Sequence, residues 1–255
     1  MLATGSLVSD QVTPAASRFL ESDELRLLYW KYFQIDDADT PQLLQRAFRL
    51  RYQVYCIEHP FEPSSPSELE SDVYDGRAGH SLLMHRLTGL LAGTVRMVRP
   101  NPNALDRSFA IQEVCTEPAI RDIRRFPLDS MGEISRFCVP KDFRRRVQDR
   151  QLIDLPANSD FDEKEWRRVI PNMTLGLIQW LVKFSHENDF THWCAVMEPT
   201  LLRLLARLGI HFEPLGDVID FHGRRQPCYC ELESMLDRVH RERSDVWSVI
   251  AQPPI

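Results

Sequence analysis

At 255 residues and 43% hydrophobic content, the chain can bury one full core, and its length suits a single elaborated domain. A net charge of −6 with 27% charged residues gives no global attraction to nucleic acid or anionic lipid, so nucleic acid is not an expected partner. No apolar run approaches the roughly 20 residues that span a bilayer, and residues 1–17 lack the basic and apolar regions of a secretory signal; a cytoplasmic protein with no transmembrane segment is expected.

Residues 1–24 mix Ser, Thr, Pro and Asp with few apolar positions and read as a mobile N-terminal arm. The domain proper is expected over 25–232. Leu25 to Ile35 is rich in aromatics that broadly alternate with charge, which predicts a first strand. Thr40-Pro41 then opens a helix, with Thr40 as N-cap and Pro41 where a missing N–H costs nothing. Arg51 and Tyr55, four residues apart, share a face of it. An arginine among Phe48, Val54 and Tyr55 is either a snorkelling stem or a cation held for an acidic partner.

Three prolines between His59 and Ser67 make this stretch a loop. It leads into Glu68-Leu69-Glu70-Ser71-Asp72-Val73-Tyr74-Asp75, whose Glu70, Asp72 and Asp75 supply that partner, although such a triplet carries little by itself. Two apolar runs, 80–87 and 90–98, flank Thr88-Gly89 and predict a tight hairpin with Arg96 on its second strand. Residues 100–127 read as irregular. Met131 to Pro140 is the next strand. There Glu133 and Arg136 would face opposite sides unless a bulge lets them share one.

Residues 141–168 form a polar, Arg-rich insert containing Arg144, Arg145, Arg146 and Arg150. A strongly apolar helix follows over 170–188, with Gly176 allowing close packing, then a strand at 191–197 and a helix over 200–208 stopped by Gly209. Two short strands turn at His222-Gly223. Residues 233–255 are an amphipathic C-terminal helix extension expected to dock on the core. Cys56, Cys115, Cys138, Cys194, Cys228 and Cys230 lack zinc-finger spacing and are expected as buried thiols, with no metal. His80, His85, His186, His192, His211 and His222 form no metal-binding spacing either and are expected at the surface or hydrogen-bonded.

The order strand, helix, loop, hairpin, strand, helix, strand, helix, two strands resembles that of the GNAT acyltransferase superfamily, an α/β (α+β) fold with a central mixed sheet flanked by helices. Arg51-x-x-Val54-Tyr55, Glu70-x-Asp72-x-x-Asp75, Gly93-Thr94-Val95-Arg96 and Glu133-Ile134-Ser135-Arg136-Phe137 resemble, in order and spacing, motifs of the acyl-homoserine-lactone (autoinducer) synthases and the long-chain N-acyl amino acid synthases. The long loop, the insert and the C-terminal extension look more like the acyltransferases associated with PEP-CTERM and exosortase systems.

This resemblance implies an N-acyltransferase that takes a long-chain fatty acyl group from acyl carrier protein, or from coenzyme A, with no tightly bound cofactor, and passes it to the amine of an amino acid or related molecule. It further implies that Arg51, Tyr55, Glu70, Asp72, Asp75, Arg96, Glu133, Arg136 and Phe137 line the active site. An amine attacking a thioester must lose a proton, so a general base is needed; Glu133 is the first candidate and Glu70 the second. A bulge at 135–138 would offer a backbone N–H to the developing oxyanion. The pyrophosphate loop of the superfamily would fall at 140–146, which contains no glycine. The insert arginines Arg144, Arg145, Arg146 and Arg150 are therefore expected to meet acyl carrier protein. An acyl-homoserine-lactone synthase using S-adenosylmethionine, and a non-catalytic module that binds acyl groups or acyl carrier protein, are the alternatives.

Overall fold

The computed structural model describes residues 14–148 and 161–253. Helix α1 (Pro14–Tyr32) leads directly into strand β1 (Phe33–Asp37), and α2 (Pro41–Tyr52) follows. Strands β2 (Ala78–His85) and β3 (Leu91–Val98) form the expected hairpin, with Gly89 in the left-handed conformation at its turn. A short helix α3 (Ala110–Val114), strand β4 (Met131–Cys138), and helices α4 (Lys141–Gln148), α5 (Glu163–Val169) and α6 (Leu175–Glu187) come next. The chain continues through β5 (His192–Met197), α7 (Pro199–Arg207), β6 (Glu213–Pro214), β7 (Ile219–Asp220), β8 (Arg224–Glu231), α8 (Leu232–Glu242) and α9 (Ser244–Ile250).

The sheet runs β1-β2-β3-β4-β5-β8-β6, with β7 paired to β8. Every neighbouring pair is antiparallel except β4 and β5. That parallel pair holds from Met131↔His192 to Ile134↔Ala195; beyond it β4 continues to Cys138 and β5 to Met197 without pairing to each other. The sheet is thus open between two strands at their carboxyl ends, where ligands of sheets with parallel strands bind.

Adjacent residues of a strand face opposite sides, so Leu82 and Leu83 belong to different layers. Leu83, Val95, Met97 and Ile134 join the main core, which α1, α5, α6, α8 and α9 supply with Tyr29, Trp166, Trp180, Leu181, Met235, Val239 and Val249. On the other side, Leu82 packs with Ala47 of α2, and Val98 and Met131 pack with Phe109 and Ile111 around α3. His80, Thr94, Arg96, Glu133 and Ser135 share this second face by strand alternation. The site is built there.

The first strand begins eight residues later than the aromatic pattern predicts, because the stretch from Leu25 is helical. Leu25, Tyr29, Trp30 and Tyr32 are buried while Leu27 is 56% exposed, a three-and-four spacing that alternation would not produce. The expected arm boundary at 24/25 therefore lies inside α1. Tyr29 Oη donates to the Met173 carbonyl (2.7 Å) and accepts from Gly176 N–H (2.7 Å), tying α1 to the start of α6. A Cβ on Gly176 would stand 2.6 Å from that hydroxyl, which is the close packing expected of this glycine.

The polar insert also contributes to the core. Phe143 of α4 and Trp166 of α5 are buried beside Phe33 and His85. Residues 100–127, expected to be irregular, contain α3. At the C-terminus the amphipathic pattern forms two helices, α8 and α9, that dock on the core as expected. Among the described residues no helix is long and apolar enough to cross a membrane.

Candidate active site

Thr40 accepts the Leu43 N–H at the start of α2, and Pro41 occupies its first turn, as their order predicts. Beyond Tyr52 the helix widens into a single π-type turn, Gln53–Glu58, closed by His59 N–H donating to the Val54 carbonyl (2.9 Å). This turn swings Tyr55 and the following loop over the second face of the sheet. Phe61 and Glu62 N–H groups both donate to the Tyr55 carbonyl. The acidic run then returns along α2, with Glu70 N–H donating to the Phe48 carbonyl (3.1 Å).

These paths bring six charged side chains into one chain of contacts. Arg51, with no exposed surface, donates from Nε to Glu70 (2.5 Å) and from Nη1 and Nη2 to the two oxygens of Asp75 (2.7 and 3.1 Å). Arg96 donates from Nη1 to Asp72 (2.6 Å) and Asp75 (2.8 Å), and from Nε to Ser135 Oγ (2.9 Å). Arg136 donates to Glu70 (2.8 Å) and Asp72 (3.1 Å). Each guanidinium also lies over an aromatic ring: Arg51 over Phe48, Arg96 over Tyr74 and Arg136 over Tyr55.

Arg136 reaches the cluster because β4 bulges. Thr94 pairs with Cys138 and Arg96 with Ser135, so β4 carries one more residue than β3 over this span. Arg136 takes φ 51°, in the left-handed region. The expected bulge is present, and it returns Arg136 to the face that carries Arg96 and Glu133.

Electrostatics follow from these contacts. Burial works against ionisation of Glu70, but hydrogen bonds from Arg136 and Arg51 outweigh it and hold its proton affinity below the usual carboxylate range. Burial of Asp75 is likewise overcome by Arg51 and Arg96. Glu133 behaves differently. It is 2% exposed and makes no ion pair among the described residues, and its oxygens accept from Ile111 N–H (2.7 Å) and Ala110 N–H (3.1 Å) at the start of α3. Burial raises its pKa despite those two donors. Two carboxylates of the same site thus have opposite proton affinities.

Glu62, which the motifs do not single out, joins the cluster as well: it accepts from Arg136 Nη2 (3.3 Å) and stands 3.8 Å from His222 on the turn between β7 and β8. His80, expected at the surface or hydrogen-bonded, is buried opposite Arg96 in the β2–β3 ladder, 3.8 Å from Asp75, with neither ring nitrogen hydrogen-bonded. His85 is buried too, bonded through Nδ1 to Thr88. Alternation along β2 marks His80 as a neighbour of Arg96 once the hairpin register is known. Glu62 has no comparable signal, since its place depends on the π-type turn.

Phe137, expected to touch substrate, packs against the main core. Arg144 and Arg145 are exposed on α4; the side chain of Arg146 and all of Arg150 lie outside the described residues. Cys138 is buried, which pushes its thiol up to about 12 and removes it as a nucleophile. Cys56 is buried as well. Among the described residues no group of His, Cys, Asp and Glu could hold a metal ion.

To an otherwise antiparallel sheet that opens at its one parallel pair, β4–β5, next to the bulge between β3 and β4, is added a direct sequence match: residues 50–154 match the acetyltransferase (GNAT) domain family. The fold is the GNAT acyltransferase fold. Among solved structures, TofI in a ternary complex with an inhibitor and MTA aligns with a TM-score of 0.56 and 16% identity, over 82% of this chain and 96% of TofI. BjaI, a CoA-dependent acyl-homoserine lactone synthase bound to SAM and isopentyl-CoA, aligns at 0.55 with 19% identity, over 82% and 88%. FeeM, an N-acyl amino acid synthase from uncultured soil microbes, aligns at 0.48 with 10% identity, over 81% and 94%. No curated protein matches the chain by sequence. The GNAT match spans the arginine of α2, the acidic run, the β2–β3 hairpin and the bulged strand.

Proposed function

We propose that the chain is an N-acyltransferase that moves a long-chain fatty acyl group from the thioester of acyl carrier protein to the amine of an amino acid or related small molecule. The cluster of Arg51, Arg96 and Arg136 with Glu62, Glu70, Asp72 and Asp75 beside the open end of β4 carries this reading. Its fixed guanidinium forks suit a carboxylate, and its carboxylates suit an ammonium, so a zwitterionic acceptor can be held by both ends.

In this mechanism the amine nitrogen attacks the thioester carbonyl carbon, the amide bond forms, and the carbon–sulfur bond breaks. The ammonium must first lose a proton. Glu133, whose raised pKa gives it the higher proton affinity, is the base, acting directly or through water. Glu70, held low by two arginines, orients rather than accepts protons. The oxyanion is assigned to a backbone N–H of the bulge at Arg136 and Phe137. The departing thiolate of the carrier takes a proton from the site. Arg144 and Arg145, exposed on α4, offer positive charge to the acidic carrier, and such a donor places the reaction in the cytoplasm, as in the acyltransferases of PEP-CTERM and exosortase systems.

A second reading, acyl-homoserine-lactone synthesis from S-adenosylmethionine, is favoured by one observation: TofI and BjaI, the latter named as a lactone synthase, align above a TM-score of 0.5. Purified chain incubated with long-chain acyl carrier protein, a pool of amino acids and amines, and S-adenosylmethionine, followed by mass spectrometry, separates the two. An N-acyl amino acid is the expected product. Lactone with methylthioadenosine would replace the first reading by the second, and no acyl transfer would remove both.

A further inference from the structure

The charged cluster is not balanced. Glu62, Glu70, Asp72 and Asp75 bring four carboxylates to the three guanidiniums of Arg51, Arg96 and Arg136, and no other Lys or Arg among the described residues pairs with these acids. His80 lies inside the cluster, 3.8 Å from Asp75, but burial and then Arg51 bring its pKa down to about 4, so it adds no charge at neutral pH. Both of its ring nitrogens are buried without a hydrogen bond. The site thus holds an uncompensated negative charge together with an unsatisfied buried polar group, and a ligand can relieve both.

The missing positive charge is missing at Glu62. Glu70 and Asp75 each accept from two arginines, and so does Asp72, bonded to Arg96 (2.6 Å) and Arg136 (3.1 Å). Glu62 has a single charged donor, Arg136 Nη2 at 3.3 Å, the longest of that nitrogen's three carboxylate contacts. Two hydrogens on one nitrogen cannot serve three carboxylates equally. His222, at 3.8 Å, stands beyond hydrogen-bonding distance. Glu62 is also the most open of the four, with a side chain 26% exposed against 5% for Glu70 and 9% for Asp75. Its backbone is pinned by its N–H on the Tyr55 carbonyl (3.0 Å), so the carboxylate is held at the rim of the cluster with room for a cation.

A cation that balances Glu62 has to stay charged through the reaction. In the acyl transfer proposed above, the attacking amine gives up its proton and ends as a neutral amide, so its own charge is lost when the bond forms. We propose that Glu62 is an acceptor-specificity residue that pairs with a second, permanent cation on the acceptor, selecting amino acids with a positively charged side chain over those with a neutral one. This inference rests on that acyl transfer. The chemistry recognised is a side-chain cation, which a basic amino acid supplies as ammonium or guanidinium and S-adenosylmethionine as sulfonium.

The test is calorimetric binding to the full chain of two pairs of probes that differ in this charge: lysine against norleucine, and S-adenosylmethionine against S-adenosylhomocysteine. The wild-type chain is expected to bind the cationic member of at least one pair about tenfold more tightly than its neutral counterpart. Glu62→Gln keeps an oxygen for Arg136 Nη2 and loses the charge, and should bring that ratio to within about twofold. Glu62→Asp keeps the charge at shorter reach and should retain part of the preference. Preference in the lysine pair assigns a basic amino acid, and preference confined to the other pair assigns the sulfonium. No preference in either pair, no binding of either cationic probe, or a preference that survives Glu62→Gln would overturn the proposal. Binding is read without turnover, so a chain that discriminates by charge but acylates no amine would remove the proposed reaction and leave the selectivity of Glu62 standing.

Discussion

Arg51 and Asp75 meet through two near-parallel hydrogen bonds, Nη1 to Oδ1 at 2.7 Å and Nη2 to Oδ2 at 3.1 Å, on a guanidinium with no exposed surface. Asp75 also accepts from Arg96 and from its own loop at Asp72 N–H (2.7 Å), so one carboxylate joins α2, β3 and the acidic run. Asp75→Asn leaves two buried arginines short of a counter-charge. A loss of about 3–5 kcal/mol is expected by denaturant unfolding at neutral pH. The linkage has a definite sign. Asp75 and Glu70 hold folded-state values below the ordinary carboxylate range, so their contribution is complete above about pH 4–5 and is lost as pH falls below it. The acid limb of the wild-type stability curve should flatten in Asp75→Asn.

His85 sits among Tyr32, Phe33, Phe143 and Trp166, and burial brings its pKa down to about 4. In the unfolded chain it titrates near 6.5. Between those values the unfolded state binds the proton and the folded state does not, so stability should fall as pH drops from about 6.5 to about 4. His80, also at about 4 from burial and then from Arg51, adds a second proton with the same sign. His85→Phe keeps the ring contacts and removes one proton from the difference. Its unfolding midpoint should vary less with pH over that window, and an unchanged slope would show that His85 is not the titrating group.

Much of the architecture was legible because period and punctuation agreed. Thr40-Pro41, Thr88-Gly89 and Gly209 each mark an element end that local chemistry enforces. Leu25 to Ile35 misled because bulky aromatics are common to strands and to helices buried on a broad face; only the exposure of Leu27 separates the two. In the site, Arg51, Glu70, Asp72, Asp75, Arg96 and Arg136 were visible as motifs, and the bulge was foreseeable from the need for Glu133 and Arg136 to share a face. Glu62 was not, because a π-type turn has no simple sequence period and its place depends on that turn. Phe137, half-buried, also packs against the main core, a contact its motif does not announce.

At Gly176, α6 packs tightly against Tyr29 of α1 and Leu83 of β2. An added methyl would stand 2.6 Å from Tyr29 Oη and 2.7 Å from Leu83 Cδ1, both fully buried. Gly176→Ala has a favourable helix propensity of about 1 kcal/mol against it, but overpacking at both contacts and disturbance of the Tyr29 bonds should prevail. A net loss of about 1–3 kcal/mol is expected in thermal or denaturant unfolding. An unchanged or higher melting temperature would show that the helices can separate to admit a methyl group.

Glu133 serves two purposes that one substitution can separate. Its oxygens hold the first N–H groups of α3, and its raised pKa suits it to take the acceptor's proton. Glu133→Gln keeps an acceptor for Ile111 N–H but turns an amide group towards Ala110 N–H, so a stability loss of about 1–3 kcal/mol is expected. If the carboxylate is the base, single-turnover acyl transfer should fall by about 10²–10⁴-fold with donor binding retained. Wild-type rate should rise with pH through a value above the ordinary range for glutamate, about 4.3, because the base must be ionised before it can accept a proton. The variant should lose that rise. A variant that keeps the wild-type rate and pH profile while melting earlier would leave Glu133 as the anchor of α3 alone, and the proton would then have to pass to water.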